Sequence, residues 1–263
     1  MCRHLAYLGP PATLSALLLE PPHSLLRQSW APRDMRGGGT INADGFGVGW
    51  YPLLAAGGVR AEERSDEDGR SGPGPVRYRR AGPMWSDPGF PELARVTASG
   101  AVLAAVRSAT VGMPVHESAC APFAAGDLLF SHNGRVTGWP RSVAKLAERL
   151  PVTDLLTLDA PTDAALLWAL VRHRLRGGAD PASALAATVS EVDAAAPGSR
   201  LNLLLTDGRR VYATTAGHSL SVRLAAGAVT VASEPYDDDP AWRPVPDRSL
   251  VVADPTTHTV EDL

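Results

Sequence analysis

Residues 42–51 read NADGFGVGWY, and the spacing of the glycines in this stretch decides between two architectures. Gly45, Gly47 and Gly49 alternate with Phe46, Val48 and Trp50, the period-two pattern of a strand with one bulky face and one bare backbone face. A dinucleotide-binding loop needs G-x-G-x-x-G between a strand and a helix. Here the spacing is wrong and no helix follows. The stretch therefore predicts a strand rather than the phosphate loop of a doubly wound parallel sheet, and its bare face leaves room for something to approach the backbone closely.

Working outward, CRHLAYL at the N-terminus is strand-like, ATLSALLLE reads as a short helix, and the Gly- and Asn-rich MRGGGTINADG is a loop. Residues 52–100, rich in Gly, Pro and charge (SDEDGRSGPGP), read as a long surface excursion. Two apolar strands follow, AVLAAVR and DLLFSHNG, separated by the loop ATVGMPVHESACAPFAAG. Val143, Leu146, Ala147 and Leu150 fall at i, i+3, i+4 and i+7 and predict an amphipathic helix. TDAALLWALVRHRLRGG predicts a second, with Thr162 as N-cap, arginines in the last turn and Gly177 as the stop. A third begins at Asp180-Pro181, a capping residue before a proline at the first helical position. LNLLLTDGRRVYATTAGHSLSVRLAAGAVTVASEP then reads as a strand meander with a hairpin at Asp207-Gly208. Strands, helices, strands is the order of an α+β protein, with antiparallel sheets and segregated helices.

At 263 residues the chain makes one large domain or two small ones. Its 25 Lys and Arg balance 28 Asp and Glu, a net charge of -3 with no run of either sign, which argues against nucleic acid as a partner. Two cysteines, Cys2 and Cys120, make no disulfide framework, so a reducing, cytoplasmic setting is the expectation. TLSALLLEPP is too short to span a membrane, and no secretory signal or anchor is expected. His132, His116 and Cys120 fit no zinc spacing, so neither metal nor cofactor is expected.

Cys2 directly follows the initiator methionine. Once Met1 is removed, one residue would carry both a thiol and a free α-amine, with reference pKa values of about 8.5 and about 7.7 to 8.0, so the amine can take the thiol proton. Arg107, Asn133-Gly134 and Asp163 each have a structural reading, as a surface charge, a turn and a first-turn carboxylate. Taken together they suit a γ-glutamyl amide. Arginine grips an α-carboxylate bidentately, aspartate holds an α-ammonium, and an Asn side chain with the next Gly N–H makes an oxyanion hole.

MCRHLAY, NADGFGVGWY, VRSATVG, SHNG and TDAALL, in this order and spanning nearly the whole chain, resemble the class II (N-terminal nucleophile) glutamine amidotransferase family. QSWAPRDM, NADGFGVGWYP and RSATVGMPVHE resemble its small single-domain branch of γ-glutamyl hydrolases in ergothioneine biosynthesis. The resemblance implies a four-layer αββα sandwich, two antiparallel sheets between helix layers, in a single domain of residues 2–263 with Met1 removed. It implies Cys2 as nucleophile at the start of a central strand, its own amine acting as base through a water. Asn133 and Gly134 would stabilise the oxyanion, Arg107 and Thr110 bind the glutamyl carboxylate end, and Asp163 take the ammonium.

Two positions depart from the family pattern. Val111 stands where many members have His before the final Gly of R-x-A-T-H-G, and Ala105, two before the arginine, is often His. The ASEP stretch (Ala232 to Pro235) recurs in the family and reads here as a strand-end turn. The activity implied is removal of glutamate from a γ-glutamyl conjugate, with the sulfoxide formed from hercynine and γ-glutamylcysteine as the specific expectation. The partner would be this small-molecule substrate, with no membrane and no assigned protein partner. The alternatives are a glutaminase subunit feeding ammonia to a separate synthase, and a non-catalytic γ-glutamyl-binding protein. A trimethylammonium in the leaving group would favour aromatic faces, so at least one of Trp30, Trp85 or Trp139 is expected in the pocket, with Trp168 in the core.

Overall fold

The computed structural model describes residues 2–34, 41–53 and 74–263. Met1, the glycine-rich 35–40 and the greater part of the charged stretch after residue 53 lie outside the described residues. The expectation that Met1 is removed therefore falls outside them too.

In chain order the elements are β1 (Arg3–Thr13), α1 (Leu14–Leu18), α2 (Leu25–Gln28), β2 (Phe46–Trp50), β3 (Val76–Arg80), α3 (Phe90–Val96) and β4 (Ala98–Val106). Next come β5 (Phe123–Ala125), β6 (Leu128–Arg135), α4 (Ala144–Ala147), α5 (Val152–Leu156), α6 (Asp163–Arg176) and α7 (Pro181–Ala195). Last are β7 (Arg200–Thr206), β8 (Val211–Thr215), β9 (Ser221–Ala225), β10 (Ala228–Ala232), β11 (Trp242–Pro244), β12 (Ser249–Ala253) and β13 (His258–Asp262).

The strands form two antiparallel sheets, ordered β11-β9-β10-β1-β4-β2-β3 and β13-β12-β8-β7-β6-β5. Alternation along β1 shows why they stack. Leu5 and Tyr7 join the layer shared with α1 and α3, whereas Ala6 and Leu8 face the second sheet together with Leu129, Leu204 and Ala213. A strand buried on both faces needs apolar residues at both parities, which LAYL supplies. On the far side, α6 and α7 cover the second sheet, with Trp168 stacked on Phe130 at 5.1 Å. Helix, sheet, sheet, helix is the four-layer α+β sandwich, and β1 is the middle strand of its sheet.

The glycine face of β2 meets the close approach that its sequence leaves room for. A Cβ on Gly47 would sit 2.2 Å from the Ala121 carbonyl oxygen, and one on Gly45 would sit 2.3 Å from Cys120 Sγ. The caps of α6 and α7 are the expected ones: Thr162 Oγ1 accepts from Ala165 N, and Asp180 accepts from Ser183 N ahead of Pro181.

Three expectations need correction. The helix expected through Val143 and Leu150 is a single α-helical turn, α4, led by a 3-10 turn over Arg141–Val143 and closed by i−3 bonds from Arg149 N to Leu146 O and Leu150 N to Ala147 O, and Pro151, which has no N–H, ends it before α5 begins. The excursion before residue 100 is not all loop, since β3 pairs with β2 and α3 buries Phe90 and Ala94. The C-terminal meander is split: β7 and β8 lie in one sheet and β9 and β10 in the other, the chain crossing between layers after Thr215. Among the described residues no helix is long and apolar enough to cross a membrane.

Candidate active site

Cys2 precedes the central strand and stands at a cleft lined by residues that follow β4 (Arg107 and Thr110), lie on β6 (His132 and Gly134) and open α6 (Thr162 and Asp163). The Cys2 thiol is half-buried, with Ser108 O 3.7 Å away. The second thiol has a different setting. Cys120 is fully buried, donates toward Arg80 O and His116 O, and burial pushes its pKa up to about 11, so it stays protonated.

Arg107 is held by neutral acceptors. Its Nη1 donates to Pro114 O at 2.9 Å and to Asp44 O at 3.4 Å, and among the described residues no carboxylate pairs with it. Asp44 shapes the same turn, because its carboxylate accepts from Ala109 N at 2.8 Å and its own N–H donates to Arg107 O. Asp163 is only 5 % exposed. Its two oxygens accept from Val136 N at 2.9 Å and Ala164 N at 2.8 Å, and the N-terminus of α6 adds a favourable dipole, yet among the described residues no cation pairs with it. One cleft thus holds a guanidinium and a carboxylate, each fixed by backbone and neither neutralised by the other.

Gly134 lines the cleft where β6 runs tight against β7. A Cβ there would lie 1.8 Å from Arg200 O, so only glycine fits. Asn133 is fully buried and sits behind the cleft wall. On β6 it shares parity with Leu129, which packs between the sheets, and with Ser131, whose hydroxyl meets His4 Nδ1 at 3.2 Å. Its amide thus occupies the space between the sheets, and Nδ2 donates to Ser233 Oγ at 3.2 Å.

Of the residues singled out in the sequence, Cys2, Arg107, Thr110, Gly134 and Asp163 come together on the cleft and Asn133 adjoins it. Val111 points fully into solvent, whereas Ala105 lines the cleft. Among the described residues Trp30, Trp85 and Trp139 do not line this cleft. Trp30 and Trp85 pack edge to face at 5.6 Å, and Trp139 is partly buried against the core that α6 and α7 share with the second sheet. Sequence reasoning missed Asp44 and Ser233; NADG and ASEP carried the signal, but their partners lie about 65 and 100 residues away.

No protein-family model matches the chain. It is 43 % identical over 251 residues to the gamma-glutamyl-hercynylcysteine sulfoxide hydrolase of Mycolicibacterium smegmatis, covering 95 % of each chain. In structure it resembles a glutamine aminotransferase class-II domain protein from Silicibacter pomeroyi, with a TM-score of 0.66, 24 % identity and 99 % of each chain covered. It also resembles the glutamine phosphoribosylpyrophosphate amidotransferase of B. subtilis, with a TM-score of 0.67, 14 % identity, and 99 % of this chain laid on 49 % of that one.

Proposed function

The chain belongs to the family of γ-glutamyl-hercynylcysteine sulfoxide hydrolases and carries the class II glutamine amidotransferase fold, and from that premise we propose that it releases glutamate from γ-glutamyl-hercynylcysteine sulfoxide by attack of Cys2 on the γ-glutamyl carbonyl. The observation that carries the residue assignment is the pair of opposite, unneutralised charges, Arg107 and Asp163, in one cleft with the Cys2 thiol. A γ-glutamyl headgroup is a zwitterion remote from the bond to be cut, and a fixed cation and anion select it by geometry as well as charge.

Arg107, with Thr110, binds the α-carboxylate and Asp163 the α-ammonium, leaving the γ-carbonyl at Cys2. With Met1 removed, the Cys2 amine takes the thiol proton through a water. The thiolate adds to the carbonyl carbon, and the negative oxygen is met by Gly134 N–H and an Asn133 amide hydrogen. The C–N bond then breaks as the amine's proton passes to the leaving nitrogen. The glutamyl thioester that remains is hydrolysed by a water whose proton the same amine accepts, freeing glutamate and the thiol. No step needs a metal or a second protein, and residues 2–263 act as one domain.

The test uses purified protein with the conjugate and with glutamine as substrates, together with intact-mass analysis. Turnover should favour the conjugate, active protein should lack Met1, and Cys2→Ala should bind without turning over. An active preparation that quantitatively retains Met1 would sink the amine-base mechanism, and a higher kcat/KM for glutamine would sink the substrate assignment.

A further inference from the structure

Ser233 closes the ladder between β10 and β1 in an unusual way. The register pairs Leu5 with Ala232, and one step on Ser233 N donates to His4 O at 2.9 Å. The return bond, from His4 N, goes at 3.0 Å to the Ser233 side-chain oxygen. The same oxygen accepts from Asn133 Nδ2 at 3.2 Å, across the space between the sheets. One fully buried hydroxyl therefore ties the nucleophile's own strand, two residues from Cys2, to the amide on β6. Ser233 is itself pinned, because its carbonyl accepts from Ser219 Oγ at 2.8 Å.

The Asn133 amide has little else to orient it. Among the described residues its Oδ1 is buried without a donor, so the bond to Ser233 is the one hydrogen bond on the side chain. Its cross-strand neighbour Asn202 makes the contrast: that amide donates to His218 O and Ser219 O and accepts from Ala216 N and His218 N. Asn202 would keep its rotation after losing any one partner. Asn133 would not.

We propose that Ser233 is a positioning residue for the reaction: it holds one Nδ2 hydrogen of Asn133 and thereby aims the other at the developing oxyanion, in fixed register with the strand that carries Cys2. The proposal rests on the oxyanion role assigned to Asn133 above. It gives the ASEP turn a function in transition-state geometry, beyond ending a strand.

A double-mutant cycle tests it, with kcat and KM for the conjugate and the thermal midpoint of each variant. Asn133→Ala should lower kcat by about 10²- to 10³-fold, as loss of an oxyanion donor does. Ser233→Ala should lower kcat by roughly tenfold with KM within about threefold, since only an interaction made in the transition state is disturbed. In the Asn133→Ala background the same change should cost less than about threefold, because residues acting through one contact are not additive. Ser233→Cys keeps the shape but accepts hydrogen bonds weakly, so it should lose kcat as Ser233→Ala does and serves if the alanine variant does not fold. Equal losses from Ser233→Ala in both backgrounds, or wild-type kcat in folded Ser233→Ala, would overturn the proposal and leave the Asn133 assignment standing. An Asn133→Ala enzyme within threefold of wild type would instead overturn that assignment, and the positioning role with it.

Discussion

Arg107 and Asp163 illustrate what single residues reveal and conceal. Their chemical types were legible in the sequence, because a guanidinium and a carboxylate are the complements of a carboxylate and an ammonium. That each is held by backbone atoms and left without a counter-charge was not legible, since the acceptors Asp44 O and Pro114 O and the donors Val136 N and Ala164 N come from separate turns. Ser233 was harder still, its partners lying on two other strands. The paired charges make a prediction. Arg107→Ala removes the partner of a desolvated substrate carboxylate, a loss on the order of 2 to 5 kcal/mol. It should appear in kcat/KM as a fall of roughly 30- to several-thousand-fold. Asp163→Asn should abolish discrimination between γ-glutamyl and des-amino analogues while retaining the two backbone contacts in part. Wild-type enzyme that processes both analogues equally well would show that Asp163 does not read the ammonium.

At the scale of elements, β2 was the most legible part of the chain, because period-two alternation of glycine with bulky residues has few other readings. Its partner surface was not, since nothing local says that residues 120–122 fold back onto it. The fit is unforgiving to different degrees along the strand. A Cβ at Gly47 meets the backbone of Ala121, at 2.2 Å from O and 3.1 Å from C, whereas at Gly49 it meets the side-chain ends of Leu129 and Pro122 at 2.7 to 2.9 Å. Leu129 can change rotamer and a peptide carbonyl cannot, so Gly47→Ala should be the more destabilising, by about 1 to 3 kcal/mol as overpacked sites typically are. Ala121 also lines the cleft, so Gly47→Ala should lose activity as well as stability. Thermal midpoints and kcat for the two variants check the ranking, and a Gly49→Ala protein that is the less stable would reverse the argument. A breaker was legible where it starts an element, as Asp180-Pro181 starts α7, but the run from Val143, whose apolar spacing alone promised a continuous helix, tightens to i−3 bonds after α4 and stops at Pro151, which has no N–H to carry it on.

For the whole molecule, the buried polar interior is where sequence told least, since His4 and Asn133 meet at Ser233 and His218 lies close enough to act on His4, all from distant segments. Two of these groups titrate. Burial, reinforced by His132, His218 and Arg3, pushes His4 down to about 3. Burial, reinforced by Arg200, Arg3 and His132, pushes His218 down to about 3 as well. Both are neutral in the folded protein at any physiological pH, and in the unfolded chain each titrates near its ordinary value of about 6.5. Below that value the unfolded state binds protons that the folded state refuses. Their effect on stability is therefore absent above about pH 6.5 and grows as the pH falls toward 3, favouring unfolding by on the order of 1 kcal/mol per pH unit for each histidine. Carboxylates contribute mainly below about pH 5, where they begin to take up protons, so the interval from pH 7 to 5 isolates the histidines. Urea-unfolding midpoints measured across that interval should decline steadily in the wild type. His218→Asn removes one of the two titrating groups, so its decline should be roughly half as steep, whatever its absolute stability at pH 7. Parallel slopes in wild type and variant would mean that His218 takes up its proton in the folded state, and that the buried polar interior admits a charge that its burial argues against.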